Sequence, residues 1–342
     1  MYTSIYAHDA PALLEQLANT PEMQRLSDVG MHCGCEYSDV IFYKQASCPY
    51  TRLMHSVGTA RIIWNFTNDT VQAVAGMLHD IATPVFAHTI DFMNNDHMTQ
   101  ESTEEKTFSF IENSKEILLL LEQNSISIND IGDYHKYPIA DNDTPMLSAD
   151  RLEYTLGNGY TVYNMSLSQI EEIYADLAVA VNEYGAKELC FRSTHIAKRF
   201  VEMSLRNSRF FVSNEDRFLM QYLADIMRRA IDAGVISQHD LYSTESEVIR
   251  KLKENKELSA DWYRYSKISA VAASKEELYG RYCVKVLAKK RFIDPLVLAG
   301  DGVKRISEID ADIKTEIDAF LSLDFNEWLY EALYSRNIIH RK

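Results

Sequence analysis

Apolar residues recur at helical spacing along most of the chain, and polar caps and prolines mark where each run starts or stops. Residues 10–27 open with Pro11 and put Leu13, Leu14 and Leu17 on one face, with a second helix start at Thr20-Pro21. A helix over 51–67 carries His55, Val57, Ile62, Ile63 and Trp64, and Asn68-Asp69-Thr70 caps the next, 71–81. Further helices are predicted near 100–123 and over 146–156. Ser168-Gln169-Ile170-Glu171 reads as a capping box opening a helix to about Tyr184, with Gly185 beyond it. Helices near 188–206, 214–233 and 244–256 follow. Strand signals are few: Val40-Ile41-Phe42-Tyr43, Tyr282 to Ala288, and Pro295 to Gly302. Helices at about 307–321 and 325–336 finish the chain. The pattern predicts a mostly α protein with a small β addition. It divides into a core over 1–165, helices completing it over 166–256, and a C-terminal extension over 257–342 with a short β-hairpin and helices.

One stretch breaks the pattern. The apolar run from Val71 to Leu78 ends in adjacent His79 and Asp80, and Pro84 stops the helix from continuing. An imidazole and a carboxylate at the end of a buried helix cost free energy unless paired or metal-bound. The other His-Asp dipeptides, at 8–9 and 239–240, follow no such run. Alone, His79 reads as a hydrogen-bonded core histidine. With His55 on the preceding helix and Asp150 on a later one, His79 and Asp80 make four candidate ligands for one divalent ion: Mn, Fe, Ni, Mg or Zn. Such a donor set, with Arg52 nearby, suits phosphate-ester hydrolysis. His32-Cys33-Gly34-Cys35 lacks a second ligand pair at zinc-finger spacing.

Composition narrows the picture. Twelve Gly and seven Pro in 342 residues disfavour a turn-rich β-sandwich, and 46% hydrophobic residues supply a sizeable core. A net charge of −15 argues against nucleic acid as a partner through a broad basic face, but leaves room for a small anionic substrate met by local positive charge. Five cysteines, an odd number, suggest a reducing, cytoplasmic setting rather than a disulfide framework. No run approaches the ~20 apolar residues of a membrane span, and the N-terminus shows no signal peptide.

Five short pieces, in order, resemble the HD-domain metal-dependent phosphohydrolases. They are Thr20-Pro21 with Gln24-Arg25-Leu26; Arg52 with His55-Ser56-Val57-Gly58; Gly76-Met77-Leu78-His79-Asp80-Ile81; Pro84-Val85-Phe86-Ala87-His88; and Ala149-Asp150-Arg151-Leu152-Glu153-Tyr154. Over residues 19–160 the likeness is nearest the deoxynucleoside triphosphate triphosphohydrolase branch. It implies an HD-domain helical fold with an HD-type catalytic core over 1–165. It also implies one divalent metal ion on His55, His79, Asp80 and Asp150. Arg52, His88 and Arg151 then contact phosphate, Tyr154 lies against the sugar, and His97 is the general acid oriented by Asp91. Thr83 stands where the family carries a third histidine, which weakens the case for a second metal and for tight triphosphate binding. Met31 and Asn158 replace a Gln and an Asp that contact the sugar; Asn19 and Ser27 replace charged residues of the nucleotide-regulated members.

The expected function is a metal-dependent phosphohydrolase of nucleotides, akin to a (d)NTP triphosphohydrolase. A 5′-nucleotidase or other phosphomonoesterase, and a non-catalytic nucleotide-binding regulatory protein, are the alternatives. Residues 165–342 carry no chemical motif; their helices are expected to wall the pocket and to offer the interface of any homo-oligomer.

Overall fold

Two adjoining helices, Arg52–Thr67 and Thr70–Leu78, form the centre of the fold. Each begins on a side-chain cap. Thr51 Oγ accepts from Met54 N, and Asp69 Oδ1 accepts from Val71 N and Gln72 N. Asn68, in the left-handed conformation, ends the first. Gly76 allows their close approach, because a Cβ there would stand 2.2 Å from Ile63 Cδ1. The Ala149–Thr161 helix, capped by Ser148, packs against Arg52–Thr67. The computed structural model describes residues 2–95, 98, 106–300 and 302–332. Helix accounts for 55% of the described residues.

Two apolar cores flank a central cleft. The first holds Ile62, Ile63, Val74, Met77, Leu152 and Leu156, and extends to Phe200 and Phe320. The second gathers around the Asn214–Asp232 helix, with Phe218, Leu223 and Met227 packed on Phe86, Trp262 and Tyr265. None of the described helices is long and apolar enough to cross a membrane.

Strands are short and join distant parts of the chain. Leu177–Val181 (β1) pairs antiparallel with Lys187–Phe191 (β2). β2 lies parallel to Leu296–Ala299 (β4), which pairs antiparallel with Gly302–Arg305 (β5). Val271–Ser274 (β3) pairs with Trp328–Glu331 (β6) in a second sheet. The hairpin of the C-terminal segment therefore shares one sheet with strands from 166–256.

Several expected elements fall elsewhere. Ile41–Lys44 is a short helix, not a strand. The capping box is Ser166 with Gln169, and its helix stops at Ala175. Beyond it, Leu177–Val181 is β1, with Val179 and Val181 exposed and Leu177 buried. The next helix starts at Thr194, because 187–191 is taken by β2. Asn255 separates Glu245–Glu254 from a further helix, Lys256–Ser266, by capping the second. Tyr282 to Ala288 forms no strand and carries one isolated bridge, from Val284 to Leu329. Residues 328–331 are β6 rather than helix, since β3 offers them a partner strand.

Arg305 ties the first sheet together. Its guanidinium donates to buried Glu188 at 2.5 and 2.9 Å, to Glu183 at 2.8 Å, and to the Asp294 carbonyl at 3.1 Å. Glu188 Oε1 also accepts from Leu147 N, which anchors the loop before the Asp150 helix. Arg305→Met should leave Glu188 buried without a cation and lower stability by about 3–5 kcal/mol, measured by urea unfolding. Adding Glu188→Gln should recover part of that loss.

Candidate metal centre and its cleft

Three helices bring the candidate ligands together. His55 sits in the first turn of Arg52–Thr67, His79 and Asp80 follow the last turn of Thr70–Leu78, and Asp150 begins Ala149–Thr161. Ligand atoms of His55, His79 and Asp80 lie within 4.8 Å of one another. Asp150 Oδ1 lies beside two of the three, 2.9 Å from His55 Nε2 and 3.6 Å from His79 Nε2. His79 Nε2 is also 3.6 Å from Asp80 Oδ2, too far for a hydrogen bond. Donors about 2.1 Å from one ion lie about 3.0 Å apart at right angles and about 3.4 Å apart in a tetrahedron. The His55–Asp150, His79–Asp150 and His79–Asp80 spacings, 2.9, 3.6 and 3.6 Å, are close to these values.

The far side of each imidazole is held. His79 Nδ1 is 2.7 Å from the Gly76 carbonyl, so it donates there and Nε2 keeps its lone pair for a cation. His55 Nδ1 is 2.6 Å from Glu153 Oε2, which also accepts from Tyr50 Oη at 2.6 Å. Glu153 is fully buried, and Gly58 makes its space: a Cβ at 58 would lie 2.5 Å from Glu153 Oε1. Glu153 stands three residues after Asp150, one helical turn along the same face. That spacing was a usable signal that sequence reasoning left without a role.

Charge balance fits a cation. Burial acts to lower His55, but hydrogen bonds to Asp150 and Glu153 override it and push it up to about 10. His79 moves up as well, with burial opposed by Asp80 and Asp150. Burial would raise Asp80, yet the Arg52 guanidinium and both imidazoles hold it well below the usual range. The carboxylates outweigh neutral imidazoles, so protons stay where a divalent ion would replace them. Arg52 donates to both Asp80 oxygens from Nη1, at 3.0 and 3.2 Å, and Thr83 Oγ donates to Asp80 Oδ1 at 2.8 Å.

The cluster lines a cavity of about 290 Å³. His88, Arg151 and Tyr154, the candidate substrate contacts, line it. Arg151 is already engaged, donating to the Met146 carbonyl at 2.8 Å and to Asn142. Asp91 is fully buried and accepts from His88 Nδ1 at 2.8 Å. His97 lies outside the described residues; among those described, His88 is the histidine that Asp91 holds. The His88 turn is tightly set, with Phe86 and Ala87 left-handed and Phe86 N donating to buried Glu245 at 3.1 Å.

Sequence reasoning missed the opposite wall. Asn207, Ser208 and Phe211 come from Thr194–Phe211, Asp216 and Met220 from Asn214–Asp232, and Lys289 and Arg291 from the irregular segment before β4. Arg217 ties that segment down by donating to the Val286 carbonyl. The basic run Lys289-Lys290-Arg291 in an acidic chain was the available signal. Met31 also lines the cavity, and Asn158 there accepts from His32 Nε2 at 2.9 Å and donates to the Tyr154 carbonyl.

No family model matches the chain. The uncharacterized protein YdhJ of Bacillus subtilis strain 168 is 24% identical over 296 residues, 86% of each protein. The metal-dependent phosphohydrolase cns2 of Cordyceps militaris is 23% identical over 179 residues, 52% of this chain and 49% of that one. Among solved structures, a phosphohydrolase from Bacteroides thetaiotaomicron superposes with a TM-score of 0.66, at 16% identity, over 95% of this chain and 97% of its own. The chain has the HD-like helical fold. A hypothetical protein from Aquifex aeolicus aligns comparably, with a TM-score of 0.65 at 18% identity over 94% of this chain and 93% of its own.

Glu153→Gln should keep the fold yet lower metal affinity by about ten- to hundredfold, read by competition with a chelating dye. An unchanged affinity would remove Glu153 from the support of His55. Asp216 gives a pH test. Burial pushes its carboxyl up to about 7, although Tyr43 Oη donates to Oδ1 at 2.5 Å and acts the other way. The folded chain keeps a proton that the unfolded chain releases near 3.8. Its stabilising contribution is complete below that value and is lost as pH rises through about 7. Asp216→Asn should flatten this slope, seen in urea midpoints at about pH 5 and about pH 8.

Proposed function

We propose that the protein is a metal-dependent phosphohydrolase acting on a small phosphorylated substrate, a nucleotide. The carrying observation is the convergence of His55, His79, Asp80 and Asp150 in a cleft that Arg52 also lines. The name of the Cordyceps relative supports the same reading. Those four residues would hold one divalent ion, the two imidazoles through Nε2. When bound, the ion supplies a polarised phosphoryl oxygen and a water of lowered pKa.

The protein's own groups do the rest. Glu153 and the Gly76 carbonyl fix the two imidazoles in orientation. Arg52 is held against Asp80, and its buried Nε has no partner among the described residues, so it can meet a phosphate oxygen. Lys289 and Arg291 add positive charge from the opposite wall, where an acidic chain most needs it. His88, backed by Asp91, is placed to hand a proton to the leaving oxygen. His97 remains a second candidate for that step.

A triphosphohydrolase-like reaction releases triphosphate, whereas a phosphomonoesterase releases orthophosphate. Thr83 favours the second, because its hydroxyl is committed to Asp80 and offers phosphate no cation. Asp150→Ala should abolish stoichiometric metal binding and cut turnover at least about hundredfold while helical content survives. Full metal occupancy and turnover in that variant would refute the ligand assignment. Product analysis on matched mono- and triphosphates, with Mn, Mg, Fe and Ni, separates the two reactions; absence of turnover with bound nucleotide would favour a regulatory binding role.

A further inference from the structure

The cavity wall outside the candidate ligand cluster carries an unmet polar group. Asn207 lies in the last turns of Thr194–Phe211, is 1% exposed, and lines the cavity. Neither its Nδ2 nor its Oδ1 has a hydrogen-bond partner among the described residues. A buried amide without partners is less stable than an apolar side chain of the same shape, so packing alone would favour leucine here. The neighbouring polar groups are already engaged. Asn158 is bonded to His32 and the Tyr154 carbonyl, and Ser208 donates to the Ser204 carbonyl.

The distance along the cleft suits a nucleotide. Asp150 and Asn158 share one helix, eight residues apart, which is about 12 Å along its axis. That helix meets Thr194–Phe211 one turn before Asn207, where Gly159 lets Met203 Sδ approach to 2.7 Å from a would-be Cβ. Phosphate at the ligand cluster would therefore leave the rest of the molecule beside Asn207. Phe211, Tyr154 and His32 give this part of the cavity flat ring surfaces. A carboxamide presents one donor and one acceptor side by side in a plane. Its complement is a flat heterocycle with an adjacent acceptor and donor on its edge.

We infer that Asn207 reads the hydrogen-bonding edge of a nucleobase, and so determines specificity for nucleotides over base-free phosphates. This rests on the nucleotide reading proposed above. A site built to hydrogen-bond a substrate group discriminates strongly against substrates that lack it, because its own buried atoms then stay unpaired.

The test uses the full-length protein and Asn207→Leu, which is nearly the same shape. Nucleoside titrations by calorimetry need neither metal nor turnover: the wild type should bind, and Asn207→Leu should bind about ten- to hundredfold more weakly. In turnover assays the variant should raise KM for nucleotides by a similar factor and leave KM for ribose 5-phosphate and tripolyphosphate unchanged. Its melting temperature should hold or rise, which excludes misfolding as the cause. Equal nucleoside affinity in both proteins, no nucleoside binding by the wild type, or an equal loss on base-free phosphates would overturn the inference. Failure of the wild type to release phosphate from any substrate would instead refute the phosphohydrolase reading, and the nucleoside titrations would still decide the role of Asn207.

Discussion

A carboxylate with no exposed surface, Glu153, holds the structure of the site together. It is buried between the Arg52–Thr67 helix and its own, and its charge is tolerable there because Tyr50 and His55 both bond to it. In return it fixes the ring of His55, whose other nitrogen faces Asp150. The helices must approach closely for this to happen, and Gly58 is what permits it. Orientation of the candidate ligands and packing of the central helices are thus one constraint. A side chain larger than glycine at 58 would disturb both.

The surrounding electrostatics follow from placing that much negative charge in a low-dielectric interior. Arg52 answers Asp80 at contact distance, and His55, which burial acts to lower but Asp150 and Glu153 raise to about 10, keeps a proton that a free histidine would release at neutral pH. The chain as a whole carries −15, so binding an anion requires positive charge delivered locally. It comes from the segment before β4, which Arg217 fastens through the Val286 carbonyl. The C-terminal third therefore contributes charge to a cleft whose candidate metal ligands all come from the first half. The Arg305–Glu188 pair links its sheet to the loop that leads into Asp150.

The amino-acid order by itself determined what is local. Asp69, Ser148 and the apolar run before His79 announce their helices through caps and periodicity. The four ligand candidates stand at the helix ends that those signals define. A mostly α fold with little strand also follows from periodicity and from the scarcity of Gly and Pro. What required a distant partner was not legible. Leu177–Val181 and Trp328–Glu331 are strands because Lys187–Phe191 and Val271–Ser274 pair with them, and a run of five or fewer residues does not encode its neighbour.

The same reason divides the site. His55, His79, Asp80 and Asp150 could be gathered from sequence because each belongs to a helix-end motif with its own local logic. Tertiary structure alone decided that Asp91 backs His88, that Arg151 is engaged by its own loop, and that Thr83 bonds to Asp80. Only the fold could bring Asn207, Lys289 and Arg291 to the cleft, because they belong to segments with no motif of their own. A polar atom is known to be unpartnered only when all its neighbours are in place, and those neighbours come from helices far apart in the chain.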